Sequence, residues 1–284
     1  MTGRVKGNGK RAMRISGAII EKVKEIDDVY RSTWDSRAIA YVTGIGHVSV
    51  AKILKEHRGP RPEKMNPPHD RRTRFLLRDV MWSSDVTGKR SGYLLLKTID
   101  EKTDYPLAWD IVRSENAEEL VAHAESLVAR YGRAPLVWKF DNGSAFKSKA
   151  FYGFLEKNHV IPYPIHKYAP WTNGRTERDH QEMHRWLLPV PVKELTREEL
   201  LKEIDEGMLM LNYNKPRAVL GFKTTARAYF EDKGVTEEDR ERLWNAVDIV
   251  RREFVQYNHR KVVRVALQNL GLYEEWLEIK KKTA

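Results

Sequence analysis

The sequence predicts a two-domain protein in which an all-α helix-turn-helix domain precedes an α/β domain with a mixed five-stranded sheet flanked by helices. Three observations support this prediction. The chain has 284 residues, enough for about two domains. A proline-rich segment at 60–74 separates two regions of different composition. Beyond it, helical periodicity gives way to short β-rich runs that alternate with helices.

These patterns also give the expected boundaries. We expect a basic arm and helix-turn-helix at 1–59, a stiff linker at 60–74, an α/β core at 75–232 and a helical C-terminal tail at 233–284.

Composition excludes several classes of protein. The chain contains no cysteine, which excludes Cys-ligated zinc, iron–sulfur clusters, thiol catalysis and a disulfide-stapled scaffold. No run approaches about 18 consecutive apolar residues, and the N-terminus has no apolar signal core. We therefore expect a soluble cytoplasmic protein with no membrane partner, associated with the nucleoid if it binds DNA.

Positive charge is concentrated in the first quarter of the chain. The whole chain carries a net charge of +11. Residues 1–74 hold 17 basic and 8 acidic residues, a net of +9, and the remaining 210 residues carry only +2. Such a segment favours binding of a polyanion, although a merely solvated basic surface stays an alternative.

Three helices are predicted in this basic region. Apolar residues at helical spacing predict the first within 16–32, and Asp35 or Ser36 begins a second over Arg37–Val42. A tight glycine turn and a basic amphipathic helix follow, an order typical of a helix-turn-helix. We expect DNA contacts from the basic residues of the arm and the third helix: Arg4, Lys6, Lys10, Arg11, Arg14, Lys52, Lys55 and Arg58.

The α/β core is predicted from five β-rich runs and two helical stretches. The runs are Leu76–Ser83, Gly92–Ile99, Tyr105–Val112, Leu136–Phe140 and Val160–Pro164, and the helices are Ala117–Tyr131 and Ser148–Asn158. Three consecutive strands followed by alternating helices and strands predict a mixed sheet. Trp82, Trp109 and Trp138 lie in these runs and are expected in the core.

Three carboxylates lie where such a sheet gathers ligands. Asp85 ends the first strand, Asp141 ends the fourth, and Glu177 lies near the start of a helix. Oxygen ligands without cysteine suit Mg²⁺ or Mn²⁺, and two such ions about 4 Å apart can act on a phosphodiester. Taken singly, Asp141 also suits a turn and Glu177 a helix N-terminus. Polar neighbours expected near the site are Asn142, Asn173 and Arg178.

The spacing and surroundings of these acids resemble a known family. Fifty-five residues separate Asp85 from Asp141, and 35 separate Asp141 from Glu177. The motifs are Trp-Ser-Ser-Asp-Val-Thr at 82–87, Asp-Asn-Gly-Ser-Ala-Phe at 141–146, Pro-Trp-Thr-Asn-Gly-Arg-Thr-Glu at 170–177, and Tyr-Asn-Lys-Pro at 213–216. This pattern resembles the DDE transposases and integrases with an RNase H-like core, above all bacterial insertion-sequence transposases similar to retroviral integrases.

The resemblance implies an activity and its partners. It implies that Asp85, Asp141 and Glu177 are catalytic and hold two Mg²⁺ ions, or Mn²⁺. It also implies a homo-oligomer, at least a dimer, that cleaves double-stranded element ends and joins them to target DNA by direct transesterification. Two alternatives stay open: a domesticated, non-catalytic DNA-binding protein, and an RNase H-like nuclease that does not join ends.

One competing motif concerns zinc. His180 and His184 have the i, i+4 spacing of a zinc-binding helix, but Gln181 stands where a metalloprotease helix has glutamate. We expect these histidines to flank the substrate or to face solvent.

Overall fold

The computed structural model describes residues 15–59, 69–88, 94–165 and 174–279, with side chains described in these ranges except at 69–72, 174–179 and 277–279. The chain divides into two compact units, Met1–Pro62 and Glu63–Ala284, and this division falls inside the predicted linker.

The first unit contains three helices, as predicted. They are α1 (Gly17–Val29), α2 (Ser36–Thr43) and α3 (His47–Arg58). Asp35 caps α2, because its carboxylate accepts the backbone N–H groups of Arg37 and Ala38. Gly44 ends α2 with φ of 70°, a left-handed conformation that favours glycine. The three-residue connection to α3 gives the helix-turn-helix order around an apolar core of Val23, Trp34, Ala38, Ile39, Val50, Ile53 and Leu54.

The second unit contains seven strands and seven helices among the residues described. The strands are β1 (His69–Phe75), β2 (Met81–Thr87), β3 (Leu94–Asp100), β4 (Tyr105–Val112), β5 (Val137–Phe140), β6 (Ile161–Pro164) and β7 (Tyr273–Ile279). The helices are α4 (Ala117–Tyr131), α5 (Lys149–Lys157), α6 (Gly174–Leu187), α7 (Arg197–Leu209), α8 (Thr225–Glu231), α9 (Glu237–Glu253) and α10 (His259–Asn269).

Five strands form the predicted mixed sheet, in the order β4-β3-β2-β5-β6. β3 runs antiparallel to β2 and β4, whereas β5 runs parallel to β2 and β6. One apolar cluster joins the sheet to α4 and α5, and includes Trp82 and Trp138 at 0% exposure. Another joins it to α6 and α7, and includes Trp109. The sheet with its flanking helices is an RNase H-like core, and the three tryptophans lie inside it as predicted.

The first strand of this sheet begins later than predicted. The prediction placed it at Leu76–Ser83, but β2 starts at Met81. Asp79 has φ of 65°, which interrupts an extended run. The apolar residues Leu77 and Val80, which precede β2, pack in a cluster with α9 and α10.

The sequence predicts a helical C-terminal tail, but the structure shows that this tail is not wholly helical. Its last described segment, β7, pairs antiparallel with β1, so the predicted linker over 60–74 is also partly strand. Complementary charge accompanies the pairing: Arg74 lies opposite Glu274, and their side chains form an ion pair at 2.8 Å. α9 and α10 share a core with β5 and β6, so they belong to the second unit.

None of the helices that the structure describes combines the length and apolarity needed to cross a membrane.

Candidate active site

Asp85 and Asp141 lie side by side at one edge of the sheet. β2 and β5 are parallel neighbours, and Ser84 is paired with Phe140 in their register. Asp85 follows Ser84, and Asp141 follows Phe140. Neighbouring strands of a sheet lie about 4.8 Å apart, so the two aspartates are close together. Asp141 directly follows β5, as expected. Asp85 lies within β2, which continues to Thr87, so it does not end its strand as predicted.

The two carboxylates affect each other electrostatically. Partial burial and the negative charge of Asp85 raise the pKa of Asp141. The Gly143 backbone N–H, which donates to Asp141 Oδ1 at 2.8 Å, and the Lys147 ammonium act in the opposite direction. The net effect is a raised pKa, the behaviour of carboxylates that crowd one another. A divalent cation between them would relieve this repulsion.

A third acid near this pair, Glu115, was missed by the sequence prediction. Burial and the charges of Asp141 and Asp85 raise its pKa. Its carboxylate packs against Gly143, where any β-carbon would collide with Glu115 Oε1. Glu115 follows β4 by three residues, so the rule that selected Asp141 after its strand could also have selected it.

The remaining predicted site residues are described only in part. Glu177 lies in the first turn of α6, and its side chain, like that of Arg178, is outside the described residues. Asn173 is outside them entirely. Asn142 donates its side-chain N–H to the backbone oxygen of Ile165, which ties the loop after β5 to the end of β6. The participation of Glu177 in the site stays a prediction.

A buried ionic cluster holds the helix that carries Glu177. Glu182 on α6 accepts hydrogen bonds from Lys215 at 2.8 Å and from both terminal nitrogens of Arg217 at 2.6 Å. Burial alone would raise the pKa of Glu182, but Arg217 and Lys215 lower it to about 2. These two cations belong to the segment of the Tyr-Asn-Lys-Pro motif. The motif therefore anchors α6.

The packing of α7 also requires glycine at one position. A β-carbon at Gly207 would lie 2.7 Å from Cδ1 of Trp186, so the α6 indole can approach α7 only because this residue has no side chain. Trp186 Nε1 donates to the backbone oxygen of Glu203 at 3.1 Å.

One predicted histidine lies at the site. His180 Nε2 is 3.0 Å from Asp85 Oδ2, and its side chain is only 8% exposed. The expectation that it flanks the site fits this position, whereas the alternative that it faces solvent is wrong.

The predicted DNA-contact residues fall into three groups. Those of the arm are outside the described residues: Arg4, Lys6, Lys10, Arg11 and Arg14. Lys52 and Lys55 are exposed on α3. Arg58 is turned inward: its Nε lies 2.8 Å from Asp27 Oδ2, and a terminal nitrogen donates to the Trp34 backbone oxygen at 2.7 Å. Because Asp27 is fully buried, Arg58 stabilises the first unit, which revises its predicted role as a DNA contact.

Within the described ranges, one group of three side chains could reach a single metal ion: Asp27, Asp28 and His57. It lies in the first unit, away from the predicted triad in sequence. Asp27 already has Arg58 as its counter-ion, so we assign no metal to this group.

Comparison with known proteins agrees with the fold. Residues 78–170 match the family model of the integrase core domain. This matched segment contains Asp85 and Asp141. No curated protein matches the chain.

Several solved integrase structures are similar in fold to the second unit of this chain. The catalytic core domain of BIV integrase is 18% identical, with a TM-score of 0.46, over 54% of this chain and 95% of that one. The HTLV-2 integrase catalytic core domain in complex with magnesium is 23% identical, with a TM-score of 0.44, over 55% of this chain and 99% of that one. A chain of a simian T-cell lymphotropic virus intasome, in complex with a PP2A regulatory subunit, is 17% identical, with a TM-score of 0.49, over 75% of this chain and 76% of that one.

Proposed function

We propose that this protein is a DNA transposase or integrase, a polynucleotidyl transferase that cleaves DNA ends and joins them to target DNA. The observation that carries the proposal is the placement of Asp85 in β2 and of Asp141 directly after β5, the adjacent parallel strand, within a segment that matches the integrase core domain. Glu177 completes the proposed catalytic set from α6. The family match over the strands that carry both aspartates supports this assignment.

The proposed cofactor is a pair of Mg²⁺ ions, with Mn²⁺ as a substitute, held by Asp85, Asp141 and Glu177. The donor set fits, because carboxylate oxygens are the ligands these hard cations prefer. The raised pKa of Asp141 beside Asp85 also fits a site that gains stability when a cation enters. When bound, the ions supply charge neutralisation at the reacting phosphate and a lowered pKa of the attacking hydroxyl.

Among the described residues, the serine next to Asp85 is not placed to act as a nucleophile. The neighbouring Ser84 is buried, and its hydroxyl is engaged with Thr98 at 2.6 Å and with Trp138 Nε1 at 2.7 Å. These contacts hold the strands together and keep the hydroxyl from a substrate. We therefore propose that water and the DNA 3′-hydroxyl are the attacking groups, so each step is a single in-line displacement.

The proposed partners are double-stranded element ends and target DNA. The exposed Lys52 and Lys55 on α3 would supply contacts to DNA, since cations on one helix suit the phosphate backbone. A homo-oligomer, at least a dimer, would hold two ends together, in keeping with the intasome among the similar structures.

A strand-transfer assay with pre-cleaved ends tests the proposal and separates it from both alternatives. We expect Mg²⁺-dependent joining of the labelled 3′-end to a target plasmid. Nicking of the target plasmid without joined product would identify a nuclease. Specific binding of the ends with neither product would identify a non-catalytic DNA-binding protein.

A further inference from the structure

Two histidines are buried in the described part of the second unit, and their hydrogen bonds differ. His123 on α4 uses both ring nitrogens: Nδ1 lies 2.5 Å from Asp110 Oδ2, and Nε2 lies 2.7 Å from Thr98 Oγ1. His180 uses only one, because Nε2 bonds to Asp85 while Nδ1 is buried with no hydrogen-bond partner among the described residues. His123 therefore has the pattern of a structural residue, and His180 does not.

This difference argues that His180 is not present for stability. A buried polar atom without a partner destabilises the fold, so an apolar side chain would suit this place on α6 better. The hydrogen bond that His180 makes within the described part of the chain is to Asp85, the first acid of the proposed catalytic set.

Packing fixes the imidazole against that acid. The rings of His180 and Trp109 meet edge to face, with centroids 5.3 Å apart and planes at 90°. Lys97 lies opposite both Asp85 and Trp109 in the strand register, so the three side chains share one face of the sheet. Lys97 is fully buried, and its Nζ lies 5.0 Å from the Trp109 ring centroid. The ring beside Asp85 is thus supported from β4 and held by α6.

We propose that His180 is a positioning residue that holds the Asp85 carboxylate in one orientation for a divalent cation. An ionised carboxylate can only accept, so Nε2–H donates to Oδ2 and restrains the rotation of the carboxylate. Hydrogen bonds of this kind, from a neighbour to a metal-binding side chain, commonly set metal affinity. The inference rests on the proposed function, because it takes Asp85 to be a metal ligand.

Mn²⁺ binding to the full-length protein, followed by the EPR signal of free Mn²⁺, tests this role without DNA. In His180→Leu, which keeps an apolar contact with Trp109, we expect Mn²⁺ affinity to fall about tenfold or more. In His180→Gln, whose amide can still donate, affinity should stay within about threefold of wild type. The Mg²⁺ concentration for half-maximal joining should rise in His180→Leu by the same factor as the Mn²⁺ dissociation constant.

A matched control is His259→Leu, which removes a different imidazole bond, to the Pro162 backbone oxygen at 2.8 Å. Its Mn²⁺ affinity should equal that of wild type. Unchanged affinity in His180→Leu, or equal weakening in His180→Leu and His180→Gln, would overturn the positioning role. If Asp85→Asn itself leaves Mn²⁺ affinity unchanged, the proposed metal site is wrong, and the inference falls with it.

Discussion

Asp141 differs from Glu182, a structural acid of the second unit, in the direction of its pKa shift. Glu182 is surrounded by Arg217 and Lys215, which lower its pKa to about 2, whereas burial and the charge of Asp85 raise the pKa of Asp141. Unlike the buried pair Asp79 and Asp100, Asp85 and Asp141 are partly exposed, so a cation can reach them from solvent. Such crowding is characteristic of a site that binds a cation.

The first prediction concerns the three acids singly. Asp85→Asn, Asp141→Asn or Glu177→Gln should each reduce end cleavage and joining together by roughly 10³-fold or more, because the acids act as a unit. Binding of the ends, measured by gel shift, should persist. Glu125→Gln, an exposed acid on α4, is the matched control and should retain activity. A triad variant that joins ends at the control rate would exclude that acid from the site.

Of the residues now placed at the site, Glu115 was not predicted from sequence, and His180 was predicted only to flank the substrate or to face solvent. Glu115 follows a strand just as Asp141 does, so its signal was present but lay outside the recognised motifs. The contact of His180 with Asp85 joins residues 95 positions apart, and no local pattern encodes it.

At the scale of elements, α3 presents cations of two kinds that sequence spacing could not distinguish. Lys52, Lys55 and Arg58 recur every three residues along α3. Of these three, only Arg58 bonds to the buried Asp27, which lies on α1. Their difference arises from the packing of α1 against α3, which a helical repeat does not contain.

The second prediction separates these cations. Arg58→Ala leaves Asp27 buried without its counter-ion and should destabilise the first unit by about 3–5 kcal/mol. The check is hydrogen exchange of the α1–α3 amides in the full chain. Lys55→Ala should keep that protection but reduce the slope of log affinity for DNA against log salt by about 0.9. If Arg58→Ala keeps its protection and lowers the slope as Lys55→Ala does, Arg58 contacts DNA after all.

The third prediction concerns the anchoring of α6. Glu182→Gln leaves the buried Lys215 and Arg217 without their carboxylate and should cost about 3–5 kcal/mol of unfolding free energy in urea titrations. Glu156→Gln, an exposed acid on α5, should stay within about 0.5 kcal/mol of wild type. Equal stability of the two variants would show that the ionic cluster does not hold the helix.

The pairing of β1 with β7 could not be predicted from local sequence patterns. The segment at 273–279 has apolar residues that also fit helical spacing, and its strand partner lies some 200 positions earlier. Strand formation there depends on that partner, whereas α4 was predicted at its observed bounds because its cap, period and terminal glycine are all local.

For the whole molecule, the order of strands and helices predicted a mixed sheet flanked by helices, but not the strand order β4-β3-β2-β5-β6. The role of the last fifty residues did not follow, since α9 and α10 find their core on elements far earlier in the chain.

The fourth prediction is a pH dependence of global stability. Burial, and then the charge of Asp79, raise the pKa of Asp100 from 3.8 to about 7. Between these values the unfolded chain has lost the proton that the folded chain retains, so the contribution of Asp100 to stability falls as pH rises from about 4 to 7, by about 4 kcal/mol in all, and is constant above.

Asp100→Asn removes this titration while keeping a side-chain oxygen to accept from the Asp79 N–H. The stability of the variant relative to wild type should therefore rise between pH 4 and pH 7 and level off above, in urea unfolding at each pH. A difference that does not vary with pH would show that Asp100 stays ionised in the folded protein.

The measurement that tests the proposed reaction most directly is the stereochemistry of strand transfer at a chiral phosphorothioate in the target DNA. In the proposed mechanism the 3′-hydroxyl displaces the target phosphate in one in-line step, because Ser84, the described serine next to Asp85, is buried and hydrogen-bonded. We predict inversion of configuration at phosphorus. Retention would require two displacements through a covalent protein–DNA intermediate, and would contradict direct transesterification by this site.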